Sequence, residues 1–460
     1  NPTPKPVKSI FIEILRLIDT LIYWVLFITS LGNIKTKSLI GGDLYDMADK
    51  GILRFILDKH IENPNSKYVK FRIVHMKMIL LTDSCLTKKV LSHNLSTIKR
   101  GLIYDRLVLF FGKGIFTNKD TTRWSKQRDL FSRMVTRSKL SGYSDRLYQI
   151  CVKTIDDEIK KNPEVDLVRL LSVVGLIAFC DVFLGVNVME CSDDLIDPLN
   201  RLLEYVNGAF EPFNIPFEPR YKAFMKDRNY VHQYMKSLAD YAIENGKGDQ
   251  ELLESLSNGS MTTEELVEFM ISIVLGGHET VARLLLGTIY GMLKSPECIT
   301  KLRTELSNND ETTSFELQKL PYLSNIVNEG MRLFSPVWLL SREPSHDISI
   351  DNLTIEKGTQ IMICPLIINR NREIWECSEI FKPERFDNLD PITKSLFFPF
   401  VLGPENCIGK RFALLESSLI IAGLFKNYNV ELADNQKVKP VSAGTFRLTD
   451  RLPVRITARN

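Results

Sequence analysis

The sequence predicts a mostly α-helical protein with small β-sheets, built as one large domain after a short N-terminal segment. Three observations carry this reading. Apolar residues recur at three- and four-residue spacing through the middle of the chain, strand-like alternation is confined to short stretches near its edges, and no Gly/Pro/Ser-rich linker, repeat or low-complexity tract divides it.

Helical periodicity marks Tyr143–Lys161, Leu167–Gly185, Pro198–Ala209, Tyr221–Asn245, Thr263–Lys294 and Leu323–Leu333. The longest of these opens with a capping box, Thr262-Thr-Glu-Glu265, and at 1.5 Å per residue would run about 48 Å. In its centre stand Gly276 and Gly277, each costing about 1 kcal/mol relative to alanine. Such a defect in a long buried helix needs a packing reason or a ligand. The alternating stretches Tyr68–Val74, Ile348–Ile350 and Val454–Thr457 supply the expected strands.

A chain of 460 residues exceeds the size at which one core usually stops growing, which favours two or three domains. The absence of linkers outweighs that prior, and the division expected is 1–34 as an N-terminal segment and 35–460 as the domain. Hydrophobic residues at 44% and charged residues at 25% suit a globular protein, and a net charge of +3 without a basic arm predicts no nucleic-acid partner. The eight cysteines are scattered, with neither a C-x-x-C pair nor zinc-like spacing, which fits a reducing compartment. All except Cys407 read as inert small apolar residues.

The N-terminus is where a membrane enters. Residues Ile10–Leu31 are largely apolar and long enough as a helix to cross a bilayer core of about 30 Å. Glu13, Arg16 and Asp19 interrupt the run at roughly 2.5–3.5 kcal/mol each, leaving Thr20–Gly32 as the lipid-compatible part. Lys5, Lys8, Lys35 and Lys37 flank both sides, so orientation is poorly specified. The segment is expected to be an anchor, with an amphipathic helix on the interface or on the domain as the alternative. No small-residue cleavage site clearly marks a secretory signal.

Cys407 sits in Phe400-Val-Leu-Gly403-Pro-Glu-Asn-Cys407-Ile-Gly409, just before a helix expected near Gly409 with Phe412, Leu415, Leu419 and Ile420 on its apolar side. A thiolate is stabilised where free backbone N–H groups and the positive end of a helix dipole meet it. Gly403 and Gly409 let the backbone approach a flat ligand, and Phe400 can shield the sulfur.

This run resembles the F-x-x-G-x-R-x-C-x-G signature of the cytochromes P450, matched at Phe400, Gly403, Cys407 and Gly409, with Glu405 where the family has Arg. Glu329-Gly-Met-Arg332 is similar to the family's E-x-x-R helix, and Phe381-Lys-Pro-Glu-Arg385-Phe386 to its P-E-R-F segment. Trp124-Ser-Lys-Gln-Arg128 resembles the W-x-x-x-R helix, Arg342 the arginine that reaches the heme edge, and Gly276-Gly277-His278-Glu279-Thr280 the A/G-G-x-D/E-T motif.

The resemblance implies heme b (iron protoporphyrin IX) bound between the long helix and the cysteine loop. Cys407 would ligate the iron, and its thiolate would push electron density toward O–O cleavage. Trp124, Arg128 and Arg342 would hold propionates, Gly276 and Gly277 would let the helix loosen on the oxygen face, and Glu329, Arg332 and Arg385 would fix the approach to the cysteine loop. Thr280 would hydrogen-bond the reacting oxygen and Glu279 would relay protons through water. His278 is expected to face away as a satisfied core or surface residue. Glu405 is expected to avoid the propionates by turning outward, with a proton shared with the propionate, or an offset by Arg128, Arg342 or a nearby lysine, as the alternatives.

The function implied is insertion of one oxygen atom from dioxygen into a lipophilic substrate such as a sterol, fatty acid or other lipid. Electrons would come from an NADPH-dependent P450 reductase or another redox partner docking near Lys410 and Arg411. The protein would sit on an endoplasmic-reticulum-like membrane with the heme domain on the cytoplasmic side. Residues near Arg100–Gly114, Val206–Phe217, Pro336–Leu340 and Phe446–Leu452 would line the pocket, with Phe210, Phe213, Phe217 and Trp338 making it apolar. A heme-thiolate isomerase, dehydratase or peroxide-driven hydroxylase is the alternative, and a non-catalytic heme-binding relative is a third reading.

Overall fold

The computed structural model describes residues 14, 15, 17, 18, 21, 42–186, 192–209, 219–433, 438, 440–442 and 445–459. The expected N-terminal anchor falls almost wholly outside them. Its strands, in chain order, are β1 (Tyr68–Ile73), β2 (Met76–Leu81), β3 (Ile98–Arg100), β4 (Glu164–Asp166), β5 (Leu340–Pro344), β6 (Ile348–Ile350), β7 (Leu353–Ile355), β8 (Gln360–Ile363), β9 (Tyr428–Leu432), β10 (Val441–Ser442), β11 (Phe446–Arg447) and β12 (Pro453–Ala458). They form a five-stranded sheet in the order β1-β2-β8-β5-β3, a three-stranded sheet β4-β12-β9 and two small pairs.

The helices match the periodicity, with differences at their ends that local chemistry explains. The long central helix covers Thr263–Lys294, and Thr262 and Glu265 close the expected capping box. Leu167–Leu184 stops one residue early because Gly185 takes the left-handed cap conformation at φ 63. The first of the expected helices starts at Arg137 rather than Tyr143, capped by Thr136. Pro198 was expected to open a helix but lies inside Ser192–Ala209, where Leu195, Leu199 and Leu202 bury one continuous stripe across it.

The strands β2, β5 and β8 escaped the alternation test for a physical reason. β8 is buried at every position and β2 at its last four, so both read as apolar runs without period two. The β1–β2 hairpin turns at Val74 and His75, which ends β1 one residue before the expected strand does.

Leu167–Leu184 and the central helix are long and apolar enough to cross a membrane, but 89% and 83% of their apolar windows lie inside the protein. They are core helices. The central helix packs against Leu167–Leu184, against Pro321–Leu333 and against Lys410–Asn427, the helix that follows Cys407.

Beside this core a buried ion cluster ties the chain together. Arg332 Nε and Nη2 donate to the Glu329 carboxylate at 2.7 and 2.9 Å, and Arg385 Nε donates to Glu329 Oε1 at 3.0 Å. Arg332 also donates to the carbonyls of Asn369 and Ser378, and Arg385 to that of Glu376. One carboxylate thus holds two guanidiniums that gather the carbonyls of the irregular segment before the cysteine loop. Because Glu329 and Arg332 are fully buried, Glu329→Ala leaves the Arg332 charge uncompensated and should destabilise the fold by roughly 3–5 kcal/mol, read as a lowered urea midpoint.

Candidate functional site around Cys407

The loop that presents Cys407 is shaped by its backbone. Val401 and Gly403 both take positive φ, at 62 and 76, and a Cβ on Gly403 would stand 2.1 Å from the Leu91 carbonyl oxygen, so only glycine fits there. The Cys407 N–H donates to Phe400 O at 2.8 Å, which folds the loop back on itself. Gly409 then caps Lys410–Asn427, whose Phe412, Leu415, Leu419 and Ile420 are buried as the apolar spacing requires.

Cys407 is accessible, yet surrounded closely enough that burial raises its thiol pKa above the ordinary value. The backbone N–H groups of Gly409 and Lys410, with the charges of Arg128 and Lys410, pull the other way. Cys151, Cys180, Cys298 and Cys364 are buried, as expected of small apolar residues, whereas Cys85 and Cys377 are exposed. Among the described residues no group of three His, Cys, Asp or Glu side chains is placed to hold a metal ion.

One side of the site is cationic. Trp124 and Arg128 lie four residues apart on the helix Thr121–Met134, with the Arg128 guanidinium 5.0 Å from the Trp124 ring. Arg128 donates to Asn406 O at 3.0 Å and Oδ1 at 2.8 Å, so it grips the residue beside Cys407. Arg100 approaches the same ring at 5.6 Å and stands opposite Arg342 in the β3–β5 register. Arg342 also donates to Tyr104 Oη at 3.3 Å. Arg100 was missed as an anion-binding residue because it belongs to no local motif. Only the strand register brings it to Arg342.

Glu405 does not turn outward. It is ion-paired with Arg100, and with Arg342 Nη2 at 3.1 Å, and its side chain is only 8% exposed. The two guanidiniums supply an interior counter-charge that the sequence around position 405 does not reveal. Opposite them, Trp124 Nε1–H is buried without a partner among the described residues.

The central helix shows why its glycines are there. A Cβ on Gly276 would strike the Phe116 ring at 2.5 Å and one on Gly277 the Phe179 ring at 2.7 Å, so both glycines have a packing reason. The helix remains continuous, and Thr280 Oγ1 donates to Gly276 O at 2.5 Å. Glu279 is buried and held by Arg283 Nε at 2.8 Å, by Thr445 Oγ1 at 3.0 Å and by Arg447 at 3.6 Å. The arginines outweigh burial and keep its carboxyl below the ordinary range. His278 faces the core, and neither ring nitrogen has a partner among the described residues. It is not the satisfied histidine expected, and burial lowers its pKa to about 4.

Of the aromatic residues expected in a pocket, Phe210, Phe213 and Phe217 lie outside the described residues. Trp338 is fully buried in the apolar cluster around β1 and β2, and its neighbour Val337 is the exposed one at 39%.

Comparison with known proteins agrees with this geometry. A family model described as Cytochrome P450 matches residues 56–454. The Cytochrome P450-like protein L532 of Acanthamoeba polyphaga mimivirus is 44% identical over 98% of this chain and 95% of its own length. The chloroplastic carotene epsilon-monooxygenase of Arabidopsis thaliana is 26% identical over 83% of this chain and 78% of its own. Cytochrome P450 3A6 of Oryctolagus cuniculus is 26% identical over 80% and 79%.

The residues present fit a heme. A single sulfur faces two amide N–H groups, and the orphaned Trp124 N–H stands with three arginines that suit two carboxylates. Glu405 is a third anion among those arginines, and like charges about 4 Å apart repel by about 4 kcal/mol at an effective dielectric near 20. Part of that is offset by Arg100 and Arg342. Glu405→Gln should therefore slow heme transfer to an acceptor protein by about tenfold, or ~1.4 kcal/mol. Transfer at an equal or higher rate would remove Glu405 from the propionate balance.

Proposed function

The chain belongs to the cytochrome P450 family and is a heme-dependent monooxygenase, and on that premise we propose that it hydroxylates a lipophilic substrate with Cys407 as the iron's axial ligand. The observation that carries this reading is the Cys407 sulfur set against the Gly409 and Lys410 amides at the start of a helix. Sterols, fatty acids and similar lipids are the substrate class proposed, with electrons from an NADPH-dependent P450 reductase or another redox partner. Exposed Lys410 and Arg411 beside the loop support docking of an acidic partner. The exposed apolar side chains of Ile14, Leu17, Ile18 and Leu21 support attachment to a membrane, and an endoplasmic-reticulum-like membrane with the domain on its cytoplasmic side is the location proposed.

The heme, when bound, supplies the activation of dioxygen and the one-electron chemistry. Trp124, Arg100, Arg128 and Arg342 would hold its carboxylates and so fix its orientation, and Phe400 would limit water at the sulfur. Gly276 and Thr280 are four residues apart on one face of the central helix. His278 lies about 200° around from each of them, so the two face away from the core side that His278 occupies. The Thr280 hydroxyl places a proton on that face, now spent on Gly276 O. Glu279, which Arg283 and Arg447 hold ionised through Oε1, delivers a proton only after it has taken one up, and Oε2 has no partner among the described residues.

That restraint on Glu279 favours one second reading, peroxide-driven hydroxylation, which needs no reductase. Oxygen consumption that depends on an electron donor and tracks product separates the two. Thr280→Ala is expected to keep heme and substrate binding while diverting reducing equivalents to peroxide or water. Unchanged coupling would take Thr280 out of proton delivery. Reduced protein under carbon monoxide should show the red-shifted Soret band of a thiolate ligand, and Cys407→Ala should lose it. A band that survives the substitution assigns the ligand elsewhere.

A further inference from the structure

We propose that Glu416 and His278 form, with a buried water molecule in the space left by Gly175, a hydrogen-bonded brace between the helix that follows Cys407 and the helix that carries Thr280. Glu416 stands on Lys410–Asn427, His278 on the central helix and Gly175 on Leu167–Leu184, three mutually packed core helices. Glu416 Oε1 lies 3.6 Å, and His278 Cδ2 3.8 Å, from the point that a Cβ on Gly175 would occupy. Both side chains are 0% exposed. Neither carboxyl oxygen of Glu416 and neither ring nitrogen of His278 has a hydrogen-bond partner among the described residues. Glu416 Oε1 and the Cδ2 edge of the imidazole thus border one gap, and the two side chains together carry four buried polar atoms without partners among the described residues.

Their chemistry is complementary. Burial pushes the Glu416 carboxyl well above its usual range and the imidazole down to about 4, so both are neutral. A neutral acid offers one O–H donor, and a neutral imidazole one N–H donor and one acceptor nitrogen. The Ser172 carbonyl lies beside the ring and attracts its N–H without closing a hydrogen bond, which leaves the other nitrogen to accept. A water that accepts from Glu416 and donates to His278 completes the set, in a polar gap of the kind that buried waters occupy. Cys151, from a fourth helix, lies near Glu416 and is also fully buried, so this side is closed to bulk solvent.

The brace gives Glu416 and His278 a positioning role, since neither touches the heme side of the central helix. Its test separates a filled gap from an empty one. A Gly175→Ala methyl would meet its nearest neighbours at 3.6 to 3.8 Å, an ordinary contact, and alanine normally stabilises a helix interior relative to glycine. If a water is bound, the methyl expels it and the unfolding temperature of the holoprotein falls. A rise overturns the proposal. Infrared difference spectra supply a second readout that packing alone would not move. The near-isosteric Glu416→Gln should remove one protonated-carboxyl band, and His278→Phe should shift that band. A spectrum without such a band to lose, or a band indifferent to His278, overturns it equally.

Discussion

Glu329 carries a charge that no water reaches, and so Arg332 and Arg385 are bound to stay with it. The consequences run along the chain toward the sulfur. Arg332 lies over the Trp375 ring at 5.4 Å, Trp375 meets Phe397 edge-on at 5.6 Å, and Phe386 meets Phe397 at 5.3 Å. Phe397 stands three residues before Phe400, whose carbonyl accepts the Cys407 N–H. A buried carboxylate thereby anchors the segment that leads into the Cys407 loop. The irregular segment lacks a regular hydrogen-bond ladder, and the arginines supply partners for its carbonyls instead.

Electrostatics divides the site into two parts. On the Trp124 side, Arg100 and Arg342 hold one carboxylate of the chain's own, Glu405, while Arg128 grips Asn406, and the three leave capacity for other anions. On the central helix, Glu279 is answered by Arg283 and Arg447 and stays ionised despite its burial. The first group suits the holding of anions. The second ties the central helix to the β11 segment through Glu279 Oε1.

The central helix is asymmetric in what it buries. Phe116 and Phe179 occupy the space that side chains at Gly276 and Gly277 would need, while polar His278 faces a core position where apolar residues are the rule. Substitutions along five consecutive residues therefore act through different neighbours. That segment is better understood as several contacts on separate helical faces than as one motif with one purpose.

Local pattern was enough to read the helices, the Thr262–Glu265 cap, the cysteine loop and the Trp124–Arg128 pair, because in each the partners lie within a few residues and one helical period relates them. The strands β2, buried at its last four positions, and β8, buried throughout, were not legible, since a strand covered on both faces loses its alternation. Nor was Arg100, whose place beside Arg342 is set by strand register over more than 200 residues of chain. Glu405 and, in part, Glu279 show the same limit in electrostatics: the counter-charges of Glu405 come from β3 and β5 and one of those of Glu279 from β11, although Arg283 lies one helical turn from Glu279. The sequence by itself determined which chemical groups the chain has and how its helices present them. Only the tertiary structure decided which charges meet and which polar groups are left buried together, because those depend on distances between segments that are remote in the chain.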